Sequence, residues 1–477
     1  MFDMAKNSYL KELKSYLVEA RTSVLRGIVP SRRTLGQILP RCYSGTKDLH
    51  FLRQYTRAAR ALPPRDVEEG DLLAQQERLS SPFDREVPAA VAAAISTFPK
   101  VEIPALQPSD LVSGSSCLEA SRKVGGRSSL LRTTEDFDFD NEAFRGTGRI
   151  PVVSTLSSLN RIFYHDHFTR SVEVSSFPSH AEGLAIPEQG GKVRMVSRHP
   201  AITVAHSHRG RRALWTLLAD NANCSTSESI SDPELSLLKF PSPHRSARIF
   251  SADLTAATDL LGWPVIKMVC DHFGIPFEWV SVTSLSGRTC RRGTGMGLPC
   301  SWPVLSLVHY AVCRAVDPGH NFRIKGDDLI ALWSDEYILR YRRLCDGVGF
   351  VLNDTKTIID DRWGTFCEVT YRRSGNTLRR MDDFSIRGFV RDEIIPPEQW
   401  MLFRRHGAGL KRLHRLGRIC HKSWFGPAAK FGVERFAPPL FGGLGLPPKN
   451  MNARCSNRLA SIVLAAHNGV QIPSTLT

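Results

Sequence analysis

"FRIKGDDLIALW", residues 322–333, sets two adjacent carboxylates, Asp327 and Asp328, between Lys325-Gly326 and five apolar residues. Like charges on neighbouring residues repel, and low-dielectric surroundings raise both pKa values unless a cation lies beside them. Gly-Asp is ordinary turn chemistry, and the stretch reads as two strands about a tight turn. A turn alone gives no reason for a second Asp followed by an unbroken apolar run. Two carboxylates at a hairpin tip can face one point in solvent. A divalent cation there would hold both ionised, and Mg²⁺ is the natural ion for oxygen ligands.

One hairpin holds two ions poorly, so a third carboxylate is expected from another strand. "IFSADLTAATDLLG", residues 249–262, offers it. Ile249, Phe250 and Ala252 form an apolar strand ending in Asp253, and Asp259 follows as a helix begins. A helix N-cap accounts for Asp259 well and for Asp253 poorly. Asp253 beside the Asp327-Asp328 tip would build a two-metal site for phosphoryl transfer.

Periodicity extends the reading outward. It predicts a strand over 247–254, a helix from Asp259, a helix over 301–316, the 322–333 hairpin and a helix over 337–347. Extended pieces follow at 350–352 and 366–372. That order is the split β-α-β plan with insertions. Upstream, Leu10, Leu13, Leu17, Ala20 and Val24 recur at helical spacing within 8–27. Two extended pieces flank Gly190-Gly191 within 186–196, and 100–180 is loop-heavy with an acidic island at 135–140.

The 477 residues carry 63 Lys and Arg against 47 Asp and Glu, a formal net charge of +16. Such a balance favours a polyanionic partner. Nucleic acid ranks above a membrane surface. The apolar runs at 87–95 and 459–466 are too short to span a bilayer, and "MFDMAKNSYLKELKSYL" lacks the apolar segment of a secretory signal. No transmembrane segment is expected. The 11 cysteines include no C-x-x-C spacing, so reduced, largely buried thiols are expected rather than a zinc ribbon.

Asp253-x5-Asp259, then a Gly-rich loop with Ser301, then Gly326-Asp327-Asp328, in this order and spacing, resembles the palm of viral RNA-dependent RNA polymerases. "GMGLPCSWPVLSLVH" at 295–309 and "GTFCEVTY" at 364–371 bring the likeness nearest to the ourmia-like (botourmiavirus) group and its narnavirus relatives. The ordered set runs from about 183 to 372. The first 180 residues and the last hundred carry no separate motif.

The resemblance implies an α+β right hand with a ferredoxin-like palm. Its parts would be a helical extension over 1–100, fingers over 101–246 and 263–294, palm over 247–262 and 295–385, and thumb over 386–477. It implies two Mg²⁺ ions, for which Mn²⁺ can substitute, held by Asp253, Asp327 and Asp328. It implies RNA-templated synthesis from ribonucleoside triphosphates on a positive-strand viral genome, in the host cytoplasm or at mitochondria. Nothing in the sequence calls for an obligate protein partner.

Further roles come by the same route. In "EQGGKVRMVSRHP" Lys192 and Arg194 share one side of a strand. The resemblance puts them, with Arg198, on the nucleotide path. Arg194 is the stronger candidate, because a guanidinium binds phosphate through two bonds at once. Ser301 and Asp259 would recognise the ribose 2′-hydroxyl. His309 stands where many viral polymerases have Asn, and it reads equally as a satisfied core histidine. Lys356 would protonate the leaving pyrophosphate. Gly297, Phe366 and Cys367 would contact RNA, as would Arg404, Arg405, Lys411, Arg412 and Arg415 in an acid-free basic stretch over 402–422.

Two rivals remain open. A reverse transcriptase shares the palm but usually carries a bulky aromatic where Asp259 stands. A non-catalytic RNA-packaging protein accounts for the charge but not for acids at strand ends.

Overall fold

The computed structural model describes residues 2–25, 28–39, 45, 47, 49–107, 110, 113–131, 177–226, 247–367, 369–381, 410–420 and 430. The chain divides into two compact units, one of residues 1–65, 188–192 and 381–477, the other of residues 66–187 and 193–380.

The first unit opens with α1 (Phe2–Leu25), α2 (Arg32–Ile38) and α3 (Leu49–Tyr55). The helical spacing in the sequence is the buried stripe of α1. Leu17, Ala20 and Val24 pack with Leu35, Ile38 and Leu52. Ser31 caps α2 by accepting from the Thr34 N–H. The 188–192 turn joins this unit through Gly190 N–H, which donates to the Leu62 carbonyl at 2.7 Å.

The second unit holds α4 (Glu69–Ser80), α5 (Ala89–Ser96), β1 (His180–Glu188) up to residue 187, β2 (Lys192–Arg198) from residue 193, and α6 (Ala201–Asp220). Glu188 and Lys192, the end residues of β1 and β2, are counted with the first unit. Then come β3 (Arg248–Ala252), β4 (Leu254–Thr255), α7 (Ala257–Leu260), α8 (Trp263–Phe273), β5 (Ser284–Leu285) and β6 (Arg288–Thr289). Next are α9 (Ser301–Val316), β7 (Phe322–Lys325), β8 (Asp328–Trp333), α10 (Asp335–Val348) and β9 (Val351–Leu352). The run closes with β10 (Ile358–Asp360), β11 (Trp363–Phe366), β12 (Val369–Ser374) and β13 (Thr377–Arg380). In the first unit, α11 (Leu410–Cys420) lies in the basic stretch.

The central sheet has the order β10-β3-β8-β7, antiparallel throughout. It explains the apolar run of the opening stretch. Leu329, Ala331 and Trp333 of β8 enter a helical core with Phe250, Val308 and Tyr341. Ile330 and Leu332 enter a second core with Ile249, Phe366 and Tyr371, beside the β11-β12-β13 sheet. A strand covered on both faces needs apolar residues at consecutive positions.

Nearly every residue of α9 is buried, as expected of a helix that is apolar all round. In α10 only the stripe Ile338, Tyr341, Cys345 and Val348 is buried. Ser334 caps its start, and Gly349 ends it in the left-handed region.

The structure departs from the sequence reading in three places. Residues 366–372 are not one strand: Cys367 adopts φ 45°, and the chain turns there between β11 and β12. The strand after α10 is confined to Val351–Leu352. The expected extension over 1–100 is divided at residue 65, and Val91 and Ile95 of α5 belong to the helical core of the second unit.

Candidate active site

Strand register builds the site. Ala252 of β3 pairs with Leu329 of β8, so one further step sets Asp253 beside the tip of the β7–β8 hairpin. That hairpin closes at Lys325↔Asp328 with two residues, Gly326 and Asp327, in the turn. Gly326 has φ 61° and Asp327 has no positive φ, the pattern of a turn with glycine at its first central position.

Lys356 arrives by a separate route. β4 pairs with β9, and Asn353 N–H donates to the Asp253 carbonyl at 2.8 Å. The Asn353 carbonyl in turn accepts from the N–H groups of Lys356 and Thr357. The tight turn leaves Lys356 Nζ 2.8 Å from Asp253 Oδ2.

Asp327 is exposed to solvent, with protein packed closely around its carboxylate. Desolvation pushes its pKa up, and the Asp253 charge pushes it further; Lys356 and Arg194 pull the other way. Asp253, Asp327, Lys356 and Arg194 therefore share one electrostatic neighbourhood: two carboxylates answered by two cations.

Asp328 lies beside Cys367. Cys367 interacts with its carboxylate by hydrogen bond and by charge, and burial above all, with that charge, raises the thiol pKa. Among the described residues, no three or more His, Cys, Asp or Glu side chains gather at one metal position. Asp253 and Asp327 are linked through their charges, and both Asp327 and Asp328 act on Cys367. A pair still suits Mg²⁺, which commonly uses one or two protein carboxylates and fills its shell with water and phosphate oxygens.

Asp259 is buried on α7. Arg78 of α4 donates to its Oδ2 through Nε at 3.0 Å and Nη2 at 2.9 Å, and Gln75 Nε2 lies 3.4 Å from Oδ1. Burial raises the Asp259 pKa, and Arg78 opposes the rise. Sequence reasoning missed Arg78 and Gln75, which lie about 180 residues away in a segment without motifs.

Ser301 opens α9, buried, with its hydroxyl donating to the Leu298 carbonyl at 2.8 Å. Gly297 fits where no side chain can: a Cβ there would come 2.0 Å from the Ser197 carbonyl oxygen. Ser197 N–H donates to the Met296 carbonyl at 2.8 Å, so the glycine loop is fastened to the end of β2. On β2, Arg194 is exposed and Arg198 is ion-paired with Glu182 of β1. Lys192 is exposed and belongs to the other unit.

Phe366 requires a correction. It is 1% exposed within the core against Ile330 and Tyr371, so it packs the sheet and offers RNA no surface. His309 is the satisfied core histidine: Nδ1 lies 2.7 Å from the Gly326 carbonyl oxygen and Nε2 2.8 Å from the Tyr341 hydroxyl. Lys411 and Arg415 lie exposed on α11. Arg404, Arg405 and the Arg412 side chain lie outside the described residues. All described cysteines are free thiols.

With this geometry in view, the comparisons are specific. No protein-family model matches the chain. It is 28% identical over 334 residues to the RNA-directed RNA polymerase of Saccharomyces 23S RNA narnavirus, covering 58% of this chain and 34% of the relative. The curated homologues of this chain are narnavirus RNA-directed RNA polymerases. The second, from Saccharomyces 20S RNA narnavirus, is 24% identical over 344 residues, covering 58% of this chain and 41% of the relative. The chain thus spans well under half the length of either narnavirus polymerase. Among solved structures, the RNA-dependent RNA polymerase of a human picorbirnavirus aligns with a TM-score of 0.45 at 12% identity, over 81% of this chain and 79% of that one. The fold class is the expected α+β. No helix among the described residues is long and apolar enough to cross a membrane.

Proposed function

We propose that the chain is an RNA-directed RNA polymerase that copies a positive-strand viral RNA genome by nucleotidyl transfer. The observation that carries this reading is the pairing of strand-end carboxylates Asp253 and Asp327 with Lys356 and Arg194 about them. Narnavirus similarity supports it independently.

Asp253 and Asp327, with Asp328, would hold two magnesium ions, which when bound would supply positive charge to the triphosphate and acidify the 3′-hydroxyl of the growing strand. Asp328 supports the tip from the Cys367 side. The 3′-oxygen attacks the α-phosphorus in line, and pyrophosphate departs. Lys356 gives that leaving group a proton. Arg194, with Lys192 and Arg198, orients the triphosphate, and Asp259, held by Arg78, reads the ribose 2′-hydroxyl with Ser301. Gly297, Cys367 and the basic face of α11 contact the RNA strands.

An extension assay with purified protein tests the reading. The expected result is ribonucleotide incorporation on an RNA template that is lost in Asp327→Asn. Incorporation of deoxynucleotides alone would select a reverse transcriptase. RNA binding without incorporation would select a packaging protein. Within the same assay, Asp259→Ala should weaken discrimination between ribo- and deoxyribonucleotides; an unaltered preference removes Asp259 from sugar recognition.

A further inference from the structure

His309 does more than satisfy itself. It is fully buried, and each ring nitrogen has one partner. The Gly326 carbonyl carries no proton, so Nδ1 holds the proton and donates. Nε2 then accepts from the Tyr341 hydroxyl. One neutral tautomer satisfies both bonds.

The carbonyl that His309 grips belongs to the peptide joining Gly326 to Asp327. A peptide unit is planar, so holding that oxygen holds the plane through to the Asp327 Cα. The β7–β8 ladder already closes the turn at Lys325↔Asp328, so the hairpin does not need this extra bond in order to form. What the bond adds is the placement of the tip against α9.

The same helix touches the turn again. Trp302 lies seven residues before His309, two turns away on the same face. A Cβ on Gly326 would come 2.7 Å from Trp302 Nε1, so the indole lies directly against the Gly326 backbone. Trp302 is braced by Trp215 of α6, with ring centroids 5.3 Å apart. Tyr341 brings in α10. One glycine is thus held by two residues of α9, with support from two more helices.

We propose that Trp302, His309 and Tyr341 form a clamp on Gly326 that sets the position of the Asp327 carboxylate for catalysis. They are positioning residues, and none touches substrate. The inference rests on the polymerase reading, and its test separates the two.

The variants are His309→Asn, His309→Gln, His309→Leu and Tyr341→Phe in the full chain. Asn keeps a donor near the place of Nδ1; Gln moves it, and Leu removes it. Gln and Leu should lower kcat about tenfold or more, while the KM for ribonucleotide stays within about twofold. Mn²⁺ binding without nucleotide, read by electron paramagnetic resonance, should weaken in parallel. Asn should retain most of the rate. Tyr341→Phe should cost about threefold, and adding it to His309→Leu should do no further harm, because both act through one bond.

Unchanged kcat and Mn²⁺ binding in folded His309→Leu would overturn the clamp. So would an Asn variant as impaired as Leu, or a shift confined to KM or to sugar preference. If His309→Leu does not fold, Tyr341→Phe, which removes a single oxygen, decides: full rate and full Mn²⁺ binding reject the clamp. A wild-type protein that incorporates nothing rejects the polymerase reading instead, and the Mn²⁺ comparison then judges the clamp by itself.

Discussion

At the residue scale, Asp327 couples stability to activity. Its pKa is raised by the protein packed around it and by the Asp253 charge. A carboxyl group whose folded pKa exceeds the unfolded value stabilises the fold at low pH. That contribution is lost as pH rises through the folded pKa. Without metal, ionising this group is therefore a burden on the fold. Asp327→Asn should raise the thermal midpoint in metal-free buffer by about a degree and lower incorporation by roughly a hundredfold or more. Magnesium should raise the midpoint of the wild type and not of the variant; an equal response would remove Asp327 from metal binding. Arg78 gives a second case. Removing it strands a buried carboxylate, so Arg78→Leu should cost about 2 kcal/mol in urea unfolding, with Lys recovering part. An unchanged midpoint would mean that Asp259 is held by other groups. The acids stood out in the sequence because carboxylates at strand ends have few structural explanations. Arg78 was not, because an arginine on an amphipathic helix looks the same whether it meets solvent or an acid.

At the element scale, close backbone approach decides where the glycine loop sits. Gly297 presses on Ser197, and Gly326 presses on Trp302 at φ 61°. Gly297→Ala must push the loop off β2 and should cost about 1–3 kcal/mol. Circular dichroism melts check this, and a variant as stable as wild type would mean that the loop yields without strain. The hairpin, α9 and α10 were readable from periodicity, since each buries a regular stripe or is enclosed completely. The break at Cys367 was not readable, because a non-glycine residue with positive φ leaves no local signal. Phe366 misled for a related reason: an aromatic beside a motif looks the same whether it faces a ligand or the core. Trp302 was visible as an aromatic in the first turn of α9, but only the hairpin tip lying against it gives it a role.

At the scale of the whole chain, buried histidines set the acid limit. Burial lowers the pKa of His199 to about 3, and those of His206, His208 and His309 to about 4. Charges reinforce the shift at three of them: His180 acts on His199, Arg209 on His206 and Arg127 on His208. The native state keeps these rings neutral while the unfolded chain protonates near 6.5, so stability is lost as pH falls from about 6.5 towards 4. Each fully buried ring contributes up to about 1.4 kcal/mol per pH unit in that window, and the half-buried His208 less. The raised carboxyls Asp259 and Asp327 offset part of the loss. Urea midpoints should be clearly lower at pH 5 than at pH 7; equal midpoints would contradict the burial of these rings. The excess of positive charge was plain in composition, whereas the division of the chain at residue 65 was not, because α4 and α5 join the second unit through side chains that carry no motif. The central claim is that Asp253 and Asp327 are two halves of one cation site. Anomalous diffraction from crystals grown with Mn²⁺, RNA and a non-hydrolysable ribonucleotide tests it most directly. The account predicts manganese peaks between the two carboxylates. Peaks elsewhere, with Lys356 still closed on Asp253, would contradict it.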